Sequence, residues 1–344
     1  MSIPESAVER FNAWGRARRP FVFAIPYDAS LPCLAEPLDE QGGELYYALP
    51  GVQRLPEPEP WPSEILWEPE WPSLDAYRSS FDIVQHHLRR GDSYLTNLCM
   101  ATPVRSNLSP DQIFCRAQAP YRLLLPGRFA CFSPELFVRM RGELIETCPM
   151  KGTSEAEEGP EALLADEKEQ REHATVVDLL RNDLALVGSE VRVERYRYAE
   201  RLVTQRGALW ATSSLIQARL PRNWQDELGT LLARLLPAGS VTGAPKLWTC
   251  RVIEVAEPCS RGYYTGIFGV FDGAGLESAV SIRFVESQGP GRLLYRSGGG
   301  VTTLSDPVAE YEELCRKVYL PLDAEELAAL RKGKAGKGGK SDAL

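Results

Sequence analysis

An α+β or layered α/β architecture, with large antiparallel sheets flanked by helices, is the fold class predicted for this 344-residue chain. Three observations carry that prediction. Short apolar runs pair around tight turns: 121–125 with 128–132 about Pro126-Gly127, and 136–140 with 144–147 about Arg141-Gly142-Glu143. Helical spacing is confined to a few well-separated segments. The regular strand-helix alternation of a doubly wound parallel sheet is missing.

In chain order, residues 1–72 alternate short apolar runs, such as Phe21-Val-Phe-Ala-Ile25, with turns. They end in Leu55-Pro-Glu-Pro-Glu-Pro-Trp-Pro62, which can be neither helix nor central strand and reads as a linker laid over the surface. Residues 73–322 form the expected core. Helical spacing predicts a helix over 74–90 with Gly91 as its stop, then a strand over 94–104. After the two hairpins comes an acidic run, Ser154 to Glu158, readable as a loop or as a lid beside Lys151. The pattern then predicts one long helix over 161–184, strands over 190–197 and 208–217, and a helix over 225–236. The loop Pro237-Ala-Gly-Ser-Val-Thr-Gly-Ala-Pro-Lys246 leads into a helix through 255. Beyond Tyr263 follow a strand, the Asp272-Gly273 turn, strands over 277–286 and 292–295, the loop Gly298-Gly-Gly300, and a closing helix over 307–319. The basic, glycine-rich stretch within 323–344 predicts disorder.

A net charge of −8 argues against a nucleic-acid surface. No signal-peptide pattern opens the chain and no apolar run is long enough to span a bilayer, so a soluble, cytoplasmic protein is expected. The eight cysteines are scattered without paired spacing and read as small hydrophobes in a reducing compartment. With three histidines a His-rich zinc site cannot be assembled, so any metal should be a hard cation on carboxylates.

Carboxylates suited to that task stand in two Glu-x-x-Glu pairs, Glu169/Glu172 and Glu310/Glu313, each with both side chains on one helix face. Either a solvated acidic face or a Mg²⁺ site with open positions for substrate oxygens fits the spacing. Gly239 to Lys246 and Gly298 to Gly300 read as turns or as anion-binding backbone near helix starts; neither has Walker A spacing. Lys151, between Pro149-Met150 and Gly152, is positioned rather than free in solvent. As a nucleophile it would have to be neutral. Arg283 interrupts an apolar run and calls for an anion or carboxylate partner.

These segments together resemble the chorismate-utilising enzymes and, within them, aminodeoxychorismate synthase component I. From Tyr77 to Lys317 the landmarks are Ser133-Pro-Glu135, Pro149-Met-Lys-Gly-Thr153, Glu172-His-Ala-Thr-Val-Val-Asp-Leu-Leu-Arg-Asn-Asp183, Gly239-Ser-Val-Thr-Gly-Ala-Pro-Lys246, Arg261-Gly-Tyr-Tyr-Thr-Gly266, Ser281-Ile-Arg283, Gly298-Gly-Gly300, Asp306-Pro307 and Glu310-Tyr-Glu-Glu313. The resemblance implies the family's anthranilate synthase component I-like fold. It implies that Lys151 attacks C2 of chorismate as the C4 hydroxyl leaves, with Glu135 as general acid, and that ammonia then enters at C4. Glu172 and Glu313 would ligate Mg²⁺ directly, and Glu169 and Glu310 directly or through water. Arg283, Tyr264 and the amides of Gly298, Gly299 and Gly300 would hold carboxylates, with Thr242 and Lys317 completing the pocket.

Anthranilate synthases carry Ala where this chain has Lys151. Isochorismate and salicylate synthases activate water with a lysine aligned with Leu95, so ammonia is the implied nucleophile. Two departures stand out. A histidine of the family's long members aligns with Ala211, and much of the N-terminal region where those members bind tryptophan is missing. No Cys-His glutaminase signature is present, so glutamine use implies a separate glutamine amidotransferase subunit. Anthranilate synthase and a non-catalytic amidotransferase-binding scaffold are the competing expectations.

Overall fold

A computed structural model describes residues 3–40, 42–155, 159–204 and 207–322. The chain opens with α1 (Glu5–Arg16), β1 (Phe21–Ile25), β2 (Leu34–Pro37), β3 (Tyr46–Leu49), β4 (Val52–Arg54) and β5 (Trp67–Pro69). Next come α2 (Leu74–Arg90), β6 (Leu95–Ser106), α3 (Pro110–Arg116), β7 (Tyr121–Leu125), β8 (Phe129–Ser133), β9 (Leu136–Arg141), β10 (Leu144–Thr147) and β11 (Met150–Glu155). They are followed by α4 (Pro160–Ala165), α5 (Glu167–Ala185), β12 (Ser189–Thr204), β13 (Gly207–Arg219), α6 (Leu228–Leu235), β14 (Gly243–Ala244) and α7 (Lys246–Ala256). The last elements are β15 (Ile267–Phe271), β16 (Leu276–Val280), β17 (Phe284–Ser287), β18 (Arg292–Val301) and α8 (Pro307–Arg316).

Among the described residues the strands form two nine-stranded sheets. The first runs β11-β13-β10-β9-β16-β15-β1-β2, with β12 also on β13; the second runs β14-β6-β18-β17-β8-β7-β3-β4, with β5 also on β6. Pairing is antiparallel, as at β1–β15 and β6–β18. β1 shows why the sheets stack. Phe21, Phe23 and Ile25 join Phe11, Leu228 and Leu232 beneath α1 and α6, while Val22 and Ala24 join Tyr47, Phe129 and Phe284 of the other sheet. A strand buried on both faces reads as a continuous apolar run, and each such side chain contributes roughly 1.5–3 kcal/mol. Outside the second sheet, α3 closes one cluster on Phe132 and Tyr295, and α2, α7 and α8 close another on Leu98 and Val301. The result is a helix-sheet-sheet-helix stack, with residues before 73 supplying strands to both sheets.

Several boundaries differ from expectation. The helix expected over 161–184 is two helices, broken at Asp166, whose carboxylate accepts from the Glu169 amide at 3.0 Å and so caps α5. The helix over 225–236 begins as a 3₁₀ turn, Trp224–Glu227, and the closing helix ends at Arg316. Residues 5–16, within the stretch read as short apolar runs and turns, form α1, whose Ala7 and Phe11 stand one turn apart on the core face. The strand over 277–286 is β16 and β17, which lie in different sheets; the chain crosses at 281–283, where Arg283 is left-handed (φ 55°). Gly298-Gly-Gly300 is no loop. It lies within β18, paired with Cys99, Leu98 and Asn97 of β6. Residues 323–344 and the 156–158 part of the acidic run lie outside the described residues.

Candidate active site

One wall of the site is built by α8 on β18. Asp306 Oδ1 accepts from the amides of Val308 (3.0 Å) and Ala309 (2.9 Å), which starts the helix. Glu310 and Glu313 then fall on one face, and Glu310 is buried at 5% exposure. Lys317, capping the helix, places Nζ 2.7 Å from Glu313 Oε1 and donates to the Gly298 carbonyl at 2.8 Å. A Cβ on Gly299 would stand 3.5 Å from Glu310 Oε2, 3.8 Å from Lys317 Nζ and 3.9 Å from Glu313 Oε1, so glycine keeps a lane open in front of the carboxylates. Gly298, Gly299, Glu310, Glu313 and Lys317 thus come together, and Gly300 ends the same lane opposite Asn97.

A second group lies at the β8–β9 turn. Glu135 Oε1 accepts from the Ser240 hydroxyl, which draws the loop before β14 onto the turn. The Thr242 hydroxyl, on the same loop, donates to the Ala238 carbonyl at 2.8 Å. Lys246 is pinned to α5 by an ion pair to Asp183 Oδ1 at 2.8 Å and to the end of α6 by donation to the Leu235 carbonyl at 2.7 Å. Burial outweighs that lysine and pushes the Asp183 carboxyl up to about 6.

The third group is on the first sheet. Lys151 pairs with Thr212 of β13, and the register shifts between Lys151 and Thr153 around Gly152, a left-handed residue (φ 69°). A Cβ on Gly152 would stand 2.7 Å from Glu169 Oε2, so the backbone beside Lys151 packs directly on the first Glu-x-x-Glu pair. Glu172 is half-buried one turn further along α5. The Lys151 side chain lies outside what the structure describes. His173, fully buried next to Glu172, has Nε2 2.7 Å from Ser214 Oγ, within the Thr-Ser-Ser segment of β13.

Arg261 joins these parts, and sequence reasoning missed it although Arg261-Gly-Tyr-Tyr-Thr-Gly266 marked the place. All five N–H donors are used. Nε and Nη2 grip Glu257 (2.8 and 2.6 Å), Nη1 reaches the Val241 carbonyl (2.8 Å) and Thr265 Oγ1 (3.3 Å), and Nη2 the Asn97 carbonyl (2.7 Å). Glu257 Oε1 accepts in turn from the Cys99 amide at 2.9 Å. Tyr264 is buried beside Cys99, Arg261 and Arg283, and burial pushes its hydroxyl well above the ordinary phenol range. Burial likewise pushes the Cys99 thiol up to about 12, and all eight cysteines are free. Arg283 is half-buried at the sheet crossover, with Nε 3.3 Å from Tyr319 Oη.

The sequence pattern of the family described as chorismate binding enzyme runs through residues 28–323. The chain belongs to this family of chorismate-binding enzymes. A Pasteurella multocida relative described as an uncharacterized PabA-like protein is 45% identical over 322 residues, covering 92% of this chain and 98% of its own. The aminodeoxychorismate synthase component 1 of Bacillus subtilis is 31% identical over 271 residues, 74% of this chain and 56% of its own. The menaquinone-specific isochorismate synthase of Escherichia coli shares the fold, with a TM-score of 0.72 at 20% identity over 96% of this chain and 83% of that one.

In this chorismate-binding enzyme, no group of three or more His, Cys, Asp or Glu side chains among the described residues is gathered as a metal site. Glu169/Glu172 and Glu310/Glu313 are two pairs of hard oxygen donors, the donor chemistry that suits Mg²⁺; Gly299 leaves ordinary clearance in front of Glu310 and Glu313, whereas Gly152 lies directly against Glu169. No described helix is long and apolar enough to cross a membrane.

Proposed function

We propose that the chain is an aminodeoxychorismate synthase component I. It converts chorismate and ammonia, delivered by a glutamine amidotransferase subunit, to 4-amino-4-deoxychorismate for 4-aminobenzoate and folate synthesis. The observation that carries this reading is the lysine at position 151 on β11, next to a glycine packed against Glu169. The 31% identity to the Bacillus subtilis enzyme supports it.

The Lys151 amine forms a bond to C2 while the electron pairs of the ring diene shift and the C4–O bond breaks; Glu135 protonates the departing hydroxyl, which leaves as water. Ammonia then bonds at C4, the electrons shift back, and the C2–N bond to Lys151 breaks. Arg283 and Tyr264 hold the enolpyruvyl carboxylate, the Gly298–Gly300 backbone and Lys317 orient the ring, and Thr242 shapes the loop that carries Ser240 to Glu135. Mg²⁺, held by Glu172 and Glu313 with Glu169 and Glu310 direct or through water, would neutralise the ring carboxylate when bound.

Purified protein incubated with chorismate, MgCl₂ and ammonium, with and without an aminodeoxychorismate lyase, is the test. A product of aminodeoxychorismate mass that the lyase converts to 4-aminobenzoate is expected, with loss of turnover in EDTA. Anthranilate with release of pyruvate would move the chain to tryptophan synthesis. No turnover even with an amidotransferase subunit would leave only a scaffold role.

A further inference from the structure

We propose that Tyr319 is a positioning residue for Arg283, holding its guanidinium so that the two terminal nitrogens serve a substrate carboxylate. Three observations converge on it. Arg283 Nε is occupied by Tyr319 Oη at 3.3 Å, and the guanidinium carbon stands 5.6 Å from the centre of the same ring. Among the described residues Arg283 forms no ion pair, and Nη1 and Nη2 donate to no protein acceptor. Its backbone is left-handed (φ 55°), a conformation unfavourable for a non-glycine residue and kept where the surrounding structure fixes it.

A half-buried guanidinium with one edge tied to a phenol and the other edge unclaimed has a fork matched to a carboxylate. Tyr264 and Tyr295 also stand near it and carry no charge, so among the described residues no carboxylate competes for that fork. Tyr319 also follows Lys317 by two residues, and Lys317 is itself fixed by Glu313 and the Gly298 carbonyl. The end of α8 therefore sets both the ring that aims Arg283 and the carboxylate wall across the lane.

This inference rests on the reading of Arg283 as carboxylate receptor, and a double-mutant cycle separates the two. Chorismate affinity, read by tryptophan fluorescence, is measured together with KM and kcat of whichever product forms, for the parent, Tyr319→Phe, Arg283→Gln and the double variant. Tyr319→Phe keeps the ring and the fold. It is expected to raise Kd and KM about tenfold, as for loss of a hydrogen bond to a charged group, with kcat changed less than about twofold and Tm unchanged. In the Arg283→Gln background the same substitution is expected to change Kd less than about twofold. An equal effect of Tyr319→Phe in both backgrounds overturns the positioning role alone. If Arg283→Gln leaves Kd unchanged, the carboxylate reading of Arg283 falls, and the inference with it.

Discussion

The two Glu-x-x-Glu pairs have the same spacing, and the fold gives them different footing. Glu310 and Glu313 stand on a helix capped by Asp306, against an unbroken stretch of β18, and Lys317 ties Glu313 to that strand. Glu169 and Glu172 stand just past a break between two helices, against a strand whose register shifts at Gly152. Spacing puts two carboxylates on one face in both cases; what they face comes from a distant part of the chain. On the α8 side the opposing glycine leaves ordinary van der Waals clearance, and on the α5 side a glycine in left-handed backbone already touches the carboxylate.

Substitutions on both sides test that contrast. The largest effect is expected from Lys151→Ala, which removes the proposed nucleophile: aminodeoxychorismate formation, followed by coupled lyase assay, should fall about a thousandfold or more with little change in Tm. Gly152→Ala forces a side chain into left-handed backbone and against Leu163 and Glu169, and should cost about 2–4 kcal/mol in urea denaturation. Comparable losses for Gly152→Ala and Gly299→Ala would erase the difference between the two sides.

Asp183→Asn probes the tie between α5 and the loop before α7. Native Asp183 titrates near 6, above its ordinary value of 3.8, so between about pH 6 and 4 the folded chain takes up a proton that the unfolded chain does not. Its contribution to stability is therefore least favourable above pH 6 and improves as pH falls. The variant leaves the Lys246 ammonium without its carboxylate at every pH, so the pH dependence is the test: the stability of the variant relative to the parent is expected to be higher at pH 7.5 than at pH 4.5 by roughly 1–3 kcal/mol. A relative stability that instead rises on acidification refutes this assignment. The smallest change in stability belongs to Gly299→Ala, below about 1 kcal/mol, although the MgCl₂ concentration for half-maximal turnover should rise roughly tenfold.

Much of this was legible in the residues. Ser73 and Gly91 bracket α2 as cap and left-handed stop, and Gly127 (φ 66°) makes the turn between β7 and β8. The carboxylate pairs and Lys151 stood out by spacing and by their neighbours. What stayed hidden is set by tertiary partners. Residues 277–286 read as one apolar run because β16 and β17 are each buried, and nothing local shows that they belong to different sheets. A run of three glycines signals a turn, yet 298–300 stay extended because Cys99 Sγ and the Leu98 carbonyl crowd the place where a Gly298 side chain would go. Arg261 carried no local mark of its four partners, Asn97 on β6, Val241 on the loop before β14, Glu257 at the end of α7 and Thr265 beyond it.

Those four partners bear on how this corner of the site assembles. A buried guanidinium is costly until every donor is met, so an intermediate in which β6, the 239–242 loop or Glu257 is still out of place strands a positive charge away from water. Partial assembly is less favourable than none, and β6, the 239–242 loop and the end of α7 therefore close around Arg261 in one cooperative event.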